Sequence, residues 1–403
     1  MCNEKLKIID PSFDDADSIV LFGAGRNCDT FINNLKNDVS VFAFIDNDPG
    51  KHGTEVLGIK VYPLDEVKKF SKKYKIIINS ETYYHEMAAQ LRKFGLVENV
   101  DFTSILKFQA VWYWNNKRKV VLFQTSSYIN TECTLNCKYC RPLMPLHKKK
   151  FHYDFETLKK DYDLYFGIVD EVRIFHVCGG ETLLHPQLDE ILGYLAGKYG
   201  EKITSFRVST NGTVTLDEKT LKCLSKYKIF MVISDYTEVT DTKKSQDSLI
   251  KQLKEYEIPF EVYYDMKWSN IKFPYELMNY DDSYLKKHMS YCSTQSKCIN
   301  DEKLFYCGTT WAAEKGGLFK NRESDYLELK TINSDCNIDK KRFLEYYLGE
   351  FGDGYLLLCK YCAGESYDNP CVTKAAEQLK RSEIPAIRDQ AMQRIKNLNA
   401  KAD

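Results

Sequence analysis

The first hundred positions alternate between short apolar blocks and mixed segments. Ser18 to Phe22 reads as a buried strand entering the turn Gly23-Ala24-Gly25, apolar residues then recur with helical spacing at Phe31, Ile32 and Leu35, and a second apolar run covers Val39 to Ile45. Strand, glycine turn, helix and strand in that order predict a β-α-β unit. A further run from Lys75 to Asn79 and a helical pattern over Met87 to Phe94 extend it, so residues 1–112 are expected to form a Rossmann-like, open parallel α/β domain. The aromatic stretch Val111-Trp112-Tyr113-Trp114, followed by the polar Asn115 to Lys119, is the expected boundary.

Beyond the boundary the alternation resumes with longer connections. Strands are predicted at Val120–Tyr128, Glu171–Val177, Ser205–Ser209, Ile229–Ser234 and Phe260–Asp265, with amphipathic helices such as Phe155–Tyr165 and Leu188–Tyr199 between them. This order implies right-handed crossovers and a parallel sheet over residues 119–290, curled into a partial (β/α)6 barrel, with its chemistry at the carboxyl ends of the strands. Over 291–372 the alternation stops and cysteines become dense, and 373–403, rich in Lys, Glu and Gln, reads as a helical tail. A chain of 403 residues has room for this many parts, since single cores stop growing below about 300 residues.

Charge adds little. Lys plus Arg and Asp plus Glu are 57 each, so no net field points to nucleic acid or an anionic membrane. Glu4, Lys5, Lys7 and Asp10 interrupt any signal-peptide core, and no uncharged apolar stretch approaches the roughly 20 residues of a membrane helix, so no membrane span and a cytoplasmic location are expected. In that reducing compartment the 14 cysteines are metal or redox sites before they are disulfides. Cys133, Cys137 and Cys140 form one knot, and Cys292, Cys298, Cys307, Cys336, Cys359, Cys362 and Cys371 a looser group. Cys2, Cys28, Cys178 and Cys223 read as packing residues or exposed thiols.

Three thiolates on a loop after a strand are one short of a closed structural site. They suggest a [4Fe–4S] cluster with one iron open to an outside ligand, the alternative being a zinc knuckle whose fourth cysteine lies elsewhere. The spacing Cys133-x3-Cys137-x2-Cys140, with Tyr139 before the third cysteine, resembles the signature of the radical S-adenosylmethionine (SAM) superfamily. Cys178-Gly179-Gly180-Glu181 after the second strand is similar to that family's G-G-E motif, and Ser209-Thr210-Asn211-Gly212 after the third to its S-T-N-G segment. The resemblance implies that SAM chelates the open iron and that an electron from a flavodoxin or ferredoxin cleaves it to a 5′-deoxyadenosyl radical, which abstracts hydrogen from the substrate. It assigns Tyr139, Gly179, Gly180, Glu181, Ser209 and Asn211 to SAM. The glycines would let the ligand approach the backbone, and Glu181 would accept from the methionine ammonium.

Cys298 and Cys307 flank a predicted hairpin with Asp301-Glu302 at its turn, and Cys359-Lys-Tyr-Cys362 supplies a C-x2-C pair. Together they resemble the shorter "twitch" form of the auxiliary-cluster extension of radical SAM enzymes, implying one further [4Fe–4S] cluster on Cys298, Cys307, Cys359 and Cys362, with a zinc ribbon as the alternative. Adding Cys292, Cys336 and Cys371 reaches the count of the longer SPASM form with two clusters, but the spacings depart from it.

In the amino-terminal part, Gly23, Gly25 and Asp46 outline a dinucleotide fingerprint in which Cys28 takes the third glycine position. The segment from Phe44 to Tyr62 is similar to Rossmann-like domains of sugar-modifying and glycan-assembly proteins, which makes a nucleotide or nucleotide-sugar the expected ligand and simple docking the alternative. Asp235, Tyr236 and Asp265, at the ends of the fourth and fifth strands, are candidates for substrate binding or proton relay, or else helix caps. Lys148 to Lys150 reads as a solvated loop face. The expected activity is hydrogen abstraction from a small-molecule substrate, a sugar, nucleotide-sugar or polyol, leading to oxidation, dehydration or epimerisation in glycan or secondary-metabolite biosynthesis. Peptide maturation is the alternative enzyme, and a zinc-stabilised binding scaffold the alternative that is not an enzyme.

Overall fold

The computed structural model describes residues 5–25, 32, 35, 38–80, 83–264, 267–292, 297–365 and 369–399. The chain divides into two compact units, Met1–Phe123 and Gln124–Asp403.

The first unit is built on β1 (Ser18–Phe22), β2 (Ser40–Ile45), β3 (Glu55–Val56), β4 (Ile59–Tyr62), β5 (Lys75–Ile78) and β6 (Phe102–Ser104), in the spatial order β3-β4-β2-β1-β5-β6. Only the β3–β4 pair is antiparallel; β4, β2, β1, β5 and β6 run parallel in a doubly wound order. Val20, Phe22, Ala43, Ile45, Ile76 and Ile78 bury one face of this sheet against Met87, Ala88 and Leu91. The last three lie on α2 (Tyr84–Lys93), which follows α1, the single turn Val67–Phe70. The helix expected at Phe31 to Leu35 falls mostly outside the described residues, with Ile32 and Leu35 helical.

Val111 to Trp114, read from the sequence as the start of the boundary, is helical. It forms the middle of α3 (Ile105–Lys117), whose first turn is capped by Ser104 accepting from the Lys107 amide at 3.2 Å. Consecutive large residues on a helix point in all directions, so a helix that carries them must be enclosed on every side. Accordingly Val111, Trp112, Tyr113 and Trp114 are all buried. The polar residue that follows is also interior: Asn115 accepts from the Leu6 amide at 2.8 Å and donates to the Leu6 carbonyl at 3.1 Å and to Asp14 at 2.9 Å.

The second unit contains β7 (Val121–Tyr128), β8 (Glu171–Cys178), β9 (Ile203–Thr210), β10 (Phe230–Ser234) and β11 (Phe260–Tyr263), connected by α4 (Phe155–Ile168), α5 (Leu188–Tyr199), α6 (Glu218–Lys226) and α7 (Lys243–Glu255). The β8–β9, β9–β10 and β10–β11 pairs are parallel, and Asp154 and Asp217 cap α4 and α6 by accepting from the Thr157 and Thr220 amides. Strand alternation separates two faces. Phe175 points outward into Tyr162, Tyr165 and Phe166 of α4 and has no exposure, whereas its neighbours Ile174 and His176 point inward and are partly exposed.

The cysteine-rich segment continues the barrel sheet. Its strands β13 (Cys298–Asn300), β14 (Lys303–Phe305) and β15 (Tyr326–Glu328) extend the order to β11-β10-β9-β8-β7-β13-β14-β15. The hairpin turn at Asp301-Glu302 is as expected, both residues having positive φ (58° and 59°). It is pinned by Asp161 of α4, which is 1% exposed or less and accepts from the Asp301 and Glu302 amides at 3.1 and 2.5 Å. Asn300 grips β7 by accepting from the Tyr128 amide and donating to the Tyr128 carbonyl.

Among the described residues β7 to β11 lie in the order of the expected partial barrel and β13 adds parallel to β7, while the next strand along the chain, β12 (Lys267–Ser269), pairs antiparallel with the returning β16 (Val372–Lys374). The tail becomes helical only at α11 (Ile384–Asn399); between β16 and α11 the chain passes over the first cysteine loop. Among the described residues the remaining α-helices are α8 (Asp282–Tyr291), α9 (Gly308–Lys315) and α10 (Asn337–Tyr347). Among the described residues no helix is long and apolar enough to cross a membrane.

Candidate active site

The cysteine loop leaves the carboxyl end of β7 and is held by backbone contacts with the glycine motif. The Gly180 amide donates to the Asn130 carbonyl and side chain at 3.1 and 2.9 Å, and the Glu181 amide to the Glu132 carbonyl at 2.7 Å. A Cβ on Gly179 would overlap the Asn130 side chain, and one on Gly180 the Glu132 carbonyl. The glycines are therefore required by the loop that carries the cysteines, where the sequence suggested room for a ligand. Asn130, with no exposure, was missed, since a single Asn after a strand carries no sequence signal.

Glu181 also differs from expectation. Its side chain is wholly buried, Oε1 accepting from the Leu183 amide at 3.0 Å and from the Thr210 hydroxyl at 2.8 Å, and Oε2 from the Asn211 amide at 2.8 Å. Burial raises its proton affinity against these three donors. The carboxylate thus pins the Ser209–Gly212 segment and is not open to a methionine ammonium. Asn211, positioned in this way, aims its side-chain amide at the Thr134 hydroxyl (3.1 Å) and at Cys133 Sγ (3.6 Å). Glu181 and Asn211 so link all three motifs. Ser209 lies on the inward face of β9, paired with Val232, and Tyr139 stands edge-on to Tyr275 with centroids 5.7 Å apart.

Cys137 is covered from the carboxyl-terminal side. The Lys138 amide donates to the Glu377 carbonyl at 2.7 Å, the Leu379 amide to the Asn136 carbonyl at 2.8 Å, and Gln378 Nε2 to Cys137 Sγ at 3.3 Å. Some 240 residues separate these partners in sequence, so no local pattern could announce them. Lys148 to Lys150 are exposed, as expected of a solvated loop face, and Lys150 also hydrogen-bonds the Met144 carbonyl and lies within electrostatic reach of Cys140 and Cys133.

The donor chemistry fits an iron–sulfur cluster. Burial pushes the thiols of Cys133, Cys137 and Cys140 up, that of Cys137 to about 12, and for Cys140 the charges of Cys137 and Cys133 add to the effect. Three crowded thiols, Cys137 buried and Cys133 and Cys140 partly so, are costly to ionise together without a cation, and binding iron supplies the positive charge that lets them release their protons. Among the described residues no three Cys, His, Asp or Glu side chains converge closely enough to grip a single metal ion. A cubane makes no such demand, because each thiolate binds a different iron.

The second cysteine group is rearranged. Cys359 and Cys362 lie within electrostatic reach of Cys307 and of Cys292, which ends α8. Cys298 is wholly buried in β13, in register with Ser126, and lies within electrostatic reach of Cys178 and Cys307. Cys298, expected as the fourth ligand, is a sheet-interior residue, and Cys292 stands beside the C-x2-C pair. The Gly364 amide donates to Cys362 Sγ at 3.3 Å. Cys336 sits at the start of α10, and the Cys371 amide donates to the Asn369 side chain.

Asp235 and Tyr236 line a cavity of about 510 Å³ at the carboxyl end of β10, walled by Tyr264, Lys267 and Thr373. The Asp235 carboxylate accepts from the Thr237 amide at 2.8 Å and so closes a turn; it does not cap the following helix, α7, which begins after Thr242. Tyr236 stands edge-on to Trp268, and its phenol is pushed up by burial and by the nearby Cys137, Cys140 and Cys133. Asp265 lies outside the described residues.

In the first unit the fingerprint residues serve their own turn. Gly23 has φ +111°, and Asp46, 8% exposed, accepts from the Ala24 amide (2.7 Å), the Asp48 amide (2.9 Å) and Lys51 (3.2 Å). The Asp46 carboxylate, a nucleotide-binding candidate in the sequence, closes the β1 turn, while Gly25 is exposed with open space around it.

A family model described as the Radical SAM superfamily matches residues 127–256, and one described as C2185-like, N-terminal, matches residues 15–100. No curated protein matches the chain. Among solved structures it is similar to anSMEcpe with bound AdoMet and the Cp18Cys peptide (13% identity, 70% of this chain and 100% of that one, TM-score 0.38). It is similar to BtrN in complex with AdoMet and 2-DOIA (16%, 62% and 97%, TM-score 0.38). A shorter match is UDP-D-quinovosamine 4-dehydrogenase from Vibrio fischeri (23%, 22% and 77%, TM-score 0.19).

Proposed function

Since residues 127–256 make this chain an enzyme with a radical SAM domain, we propose that it abstracts hydrogen from a sugar, nucleotide-sugar or polyol held above Cys133, Cys137 and Cys140. The observation that carries this is the linkage of three distant motifs: Glu181 fixes Asn211, and Asn211 reaches Cys133. Bound there, a [4Fe–4S] cluster and SAM supply one-electron cleavage to a carbon radical. The protein's part is to fix the cysteine loop through Gly179 and Gly180, to aim the Asn211 and Gln378 amides at two of the sulfurs, and to exclude water beside Tyr236. A cavity of about 510 Å³ suits a small molecule, which places this reading ahead of peptide maturation. Cys292, Cys307, Cys359 and Cys362 hold a single auxiliary [4Fe–4S] cluster in this reading, and a flavodoxin or ferredoxin delivers the electron.

The test is anaerobic reconstitution with iron counting and reductive SAM cleavage, on the native chain and on a variant with Cys133, Cys137 and Cys140 all changed to Ala. About eight irons in the native chain, about four in the variant and 5′-deoxyadenosine only from the native support the proposal. A native protein that binds zinc and never cleaves SAM overturns it.

A further inference from the structure

The inward face of the barrel carries a cation and an imidazole with no role in the site above. Parallel register sets His176 of β8 beside Arg207 of β9, and Arg207 beside Phe230 of β10. Ser205, Arg207 and Ser209 share one strand face, opposite to Phe206, which packs outward on Phe175 with ring centroids 6.3 Å apart. Arg207 is half-buried, its Nε donating to Ser205 Oγ at 3.0 Å and its guanidinium 5.6 Å from the Phe230 ring centroid. Among the described residues no carboxylate pairs with it and its terminal nitrogens donate to no protein acceptor. His176 Nε2 is buried without a hydrogen-bond partner. Burial, and then Arg207, hold the imidazole neutral. An unpaired guanidinium and an unsatisfied ring nitrogen on adjacent strands lack the same thing, an acceptor bearing negative charge.

We propose that Arg207 and His176 form an oxyanion subsite for the substrate, which is therefore a small molecule carrying a carboxylate or a phosphoryl group. Arg207 supplies charge and paired donors, His176 a single donor, and Phe230 keeps the guanidinium plane in place. Two residues along β9 is about 7 Å, so an anion at Arg207 stands roughly one sugar ring from Ser209, where the SAM motif begins. The inference rests on the radical SAM reading for the position of the reacting carbon; the anion site itself does not.

The test is thermal unfolding of the cluster-loaded, SAM-bound enzyme with glucose 1-phosphate, glucuronate or glucose. At least one anionic sugar is expected to raise the midpoint while glucose does not. In Arg207→Gln the apparent affinity should fall about tenfold or more, as expected for loss of a charged hydrogen bond, and Arg207→Lys should recover part of it. Iron content and the unliganded midpoint establish that each variant is folded. Equal stabilisation by glucose, no stabilisation by either anion, or unchanged anion affinity in Arg207→Gln overturns the proposal. SAM cleavage by the native chain is read separately: an enzyme that binds the anions and never cleaves SAM keeps the subsite and loses the radical reading.

Discussion

Gln378 Nε2 lies 3.3 Å from Cys137 Sγ, a hydrogen bond from the carboxyl-terminal segment to the middle cysteine of the amino-proximal loop. Gln378 also accepts from the Asn136 amide through Oε1 at 2.8 Å, so its orientation is fixed by the loop it serves.

A donor to a cluster sulfur stabilises the reduced, more negative state. Gln378→Leu should therefore lower the reduction potential. One hydrogen bond of about 1 kcal/mol corresponds to roughly 40 mV for a single electron. An EPR-monitored redox titration of the reconstituted protein checks this, and an unchanged potential at full iron content would show that the contact has no electronic effect.

Gly180→Ala tests the packing of the glycine motif. The added methyl must displace the Glu132 carbonyl, which is backbone and cannot rotate aside. A cost of about 3 kcal/mol is expected for such an overlap, together with poor iron incorporation, because Cys133 follows Glu132 directly. Denaturant unfolding and iron analysis read the two effects.

The two candidates for the fourth auxiliary ligand separate cleanly. Cys292→Ala should remove about four irons and leave SAM cleavage at Cys133, Cys137 and Cys140 measurable. Cys298→Ala should keep its iron and lose only about 1 kcal/mol or so of packing from the β13 interior. The reverse pattern in iron counts would restore Cys298 to the cluster.

His185 sets part of the acid stability. Its Nδ1 accepts from the Gln187 amide at 3.1 Å and its Nε2 meets the Tyr153 carbonyl at 2.8 Å, which fixes a neutral ring protonated on Nε2. Burial lowers its pKa from 6.5 to about 4. Between these values the unfolded chain binds a proton that the folded chain does not, so stability present above pH 6.5 is lost as the pH falls toward 4. The slope of unfolding free energy against pH in this window should be shallower in His185→Gln by up to one proton.

Much of the site was legible in the sequence. The cysteine spacing, the two later motifs and their places at the ends of β7, β8 and β9 follow from local pattern, because strand alternation and turn glycines are local constraints. So does the Asp301-Glu302 hairpin. The helical state of the aromatic run at Val111 to Trp114 was not legible, because one-dimensional patterning shows no polar stripe on a helix enclosed on all sides.

What only the tertiary structure decided is the pairing of residues far apart in the chain. That Cys292 stands beside Cys359 and Cys362, that Glu181 faces Asn211, that Asp46 closes its own turn, and that Gln378 reaches Cys137 all depend on which backbones pack together. Sequence determines which groups are available and on which face of an element they lie. The close contacts that commit a carboxylate to one partner, or leave Arg207 without one, are set by long-range packing, because a buried polar group is held by whatever donor or acceptor the fold places within about 3 Å.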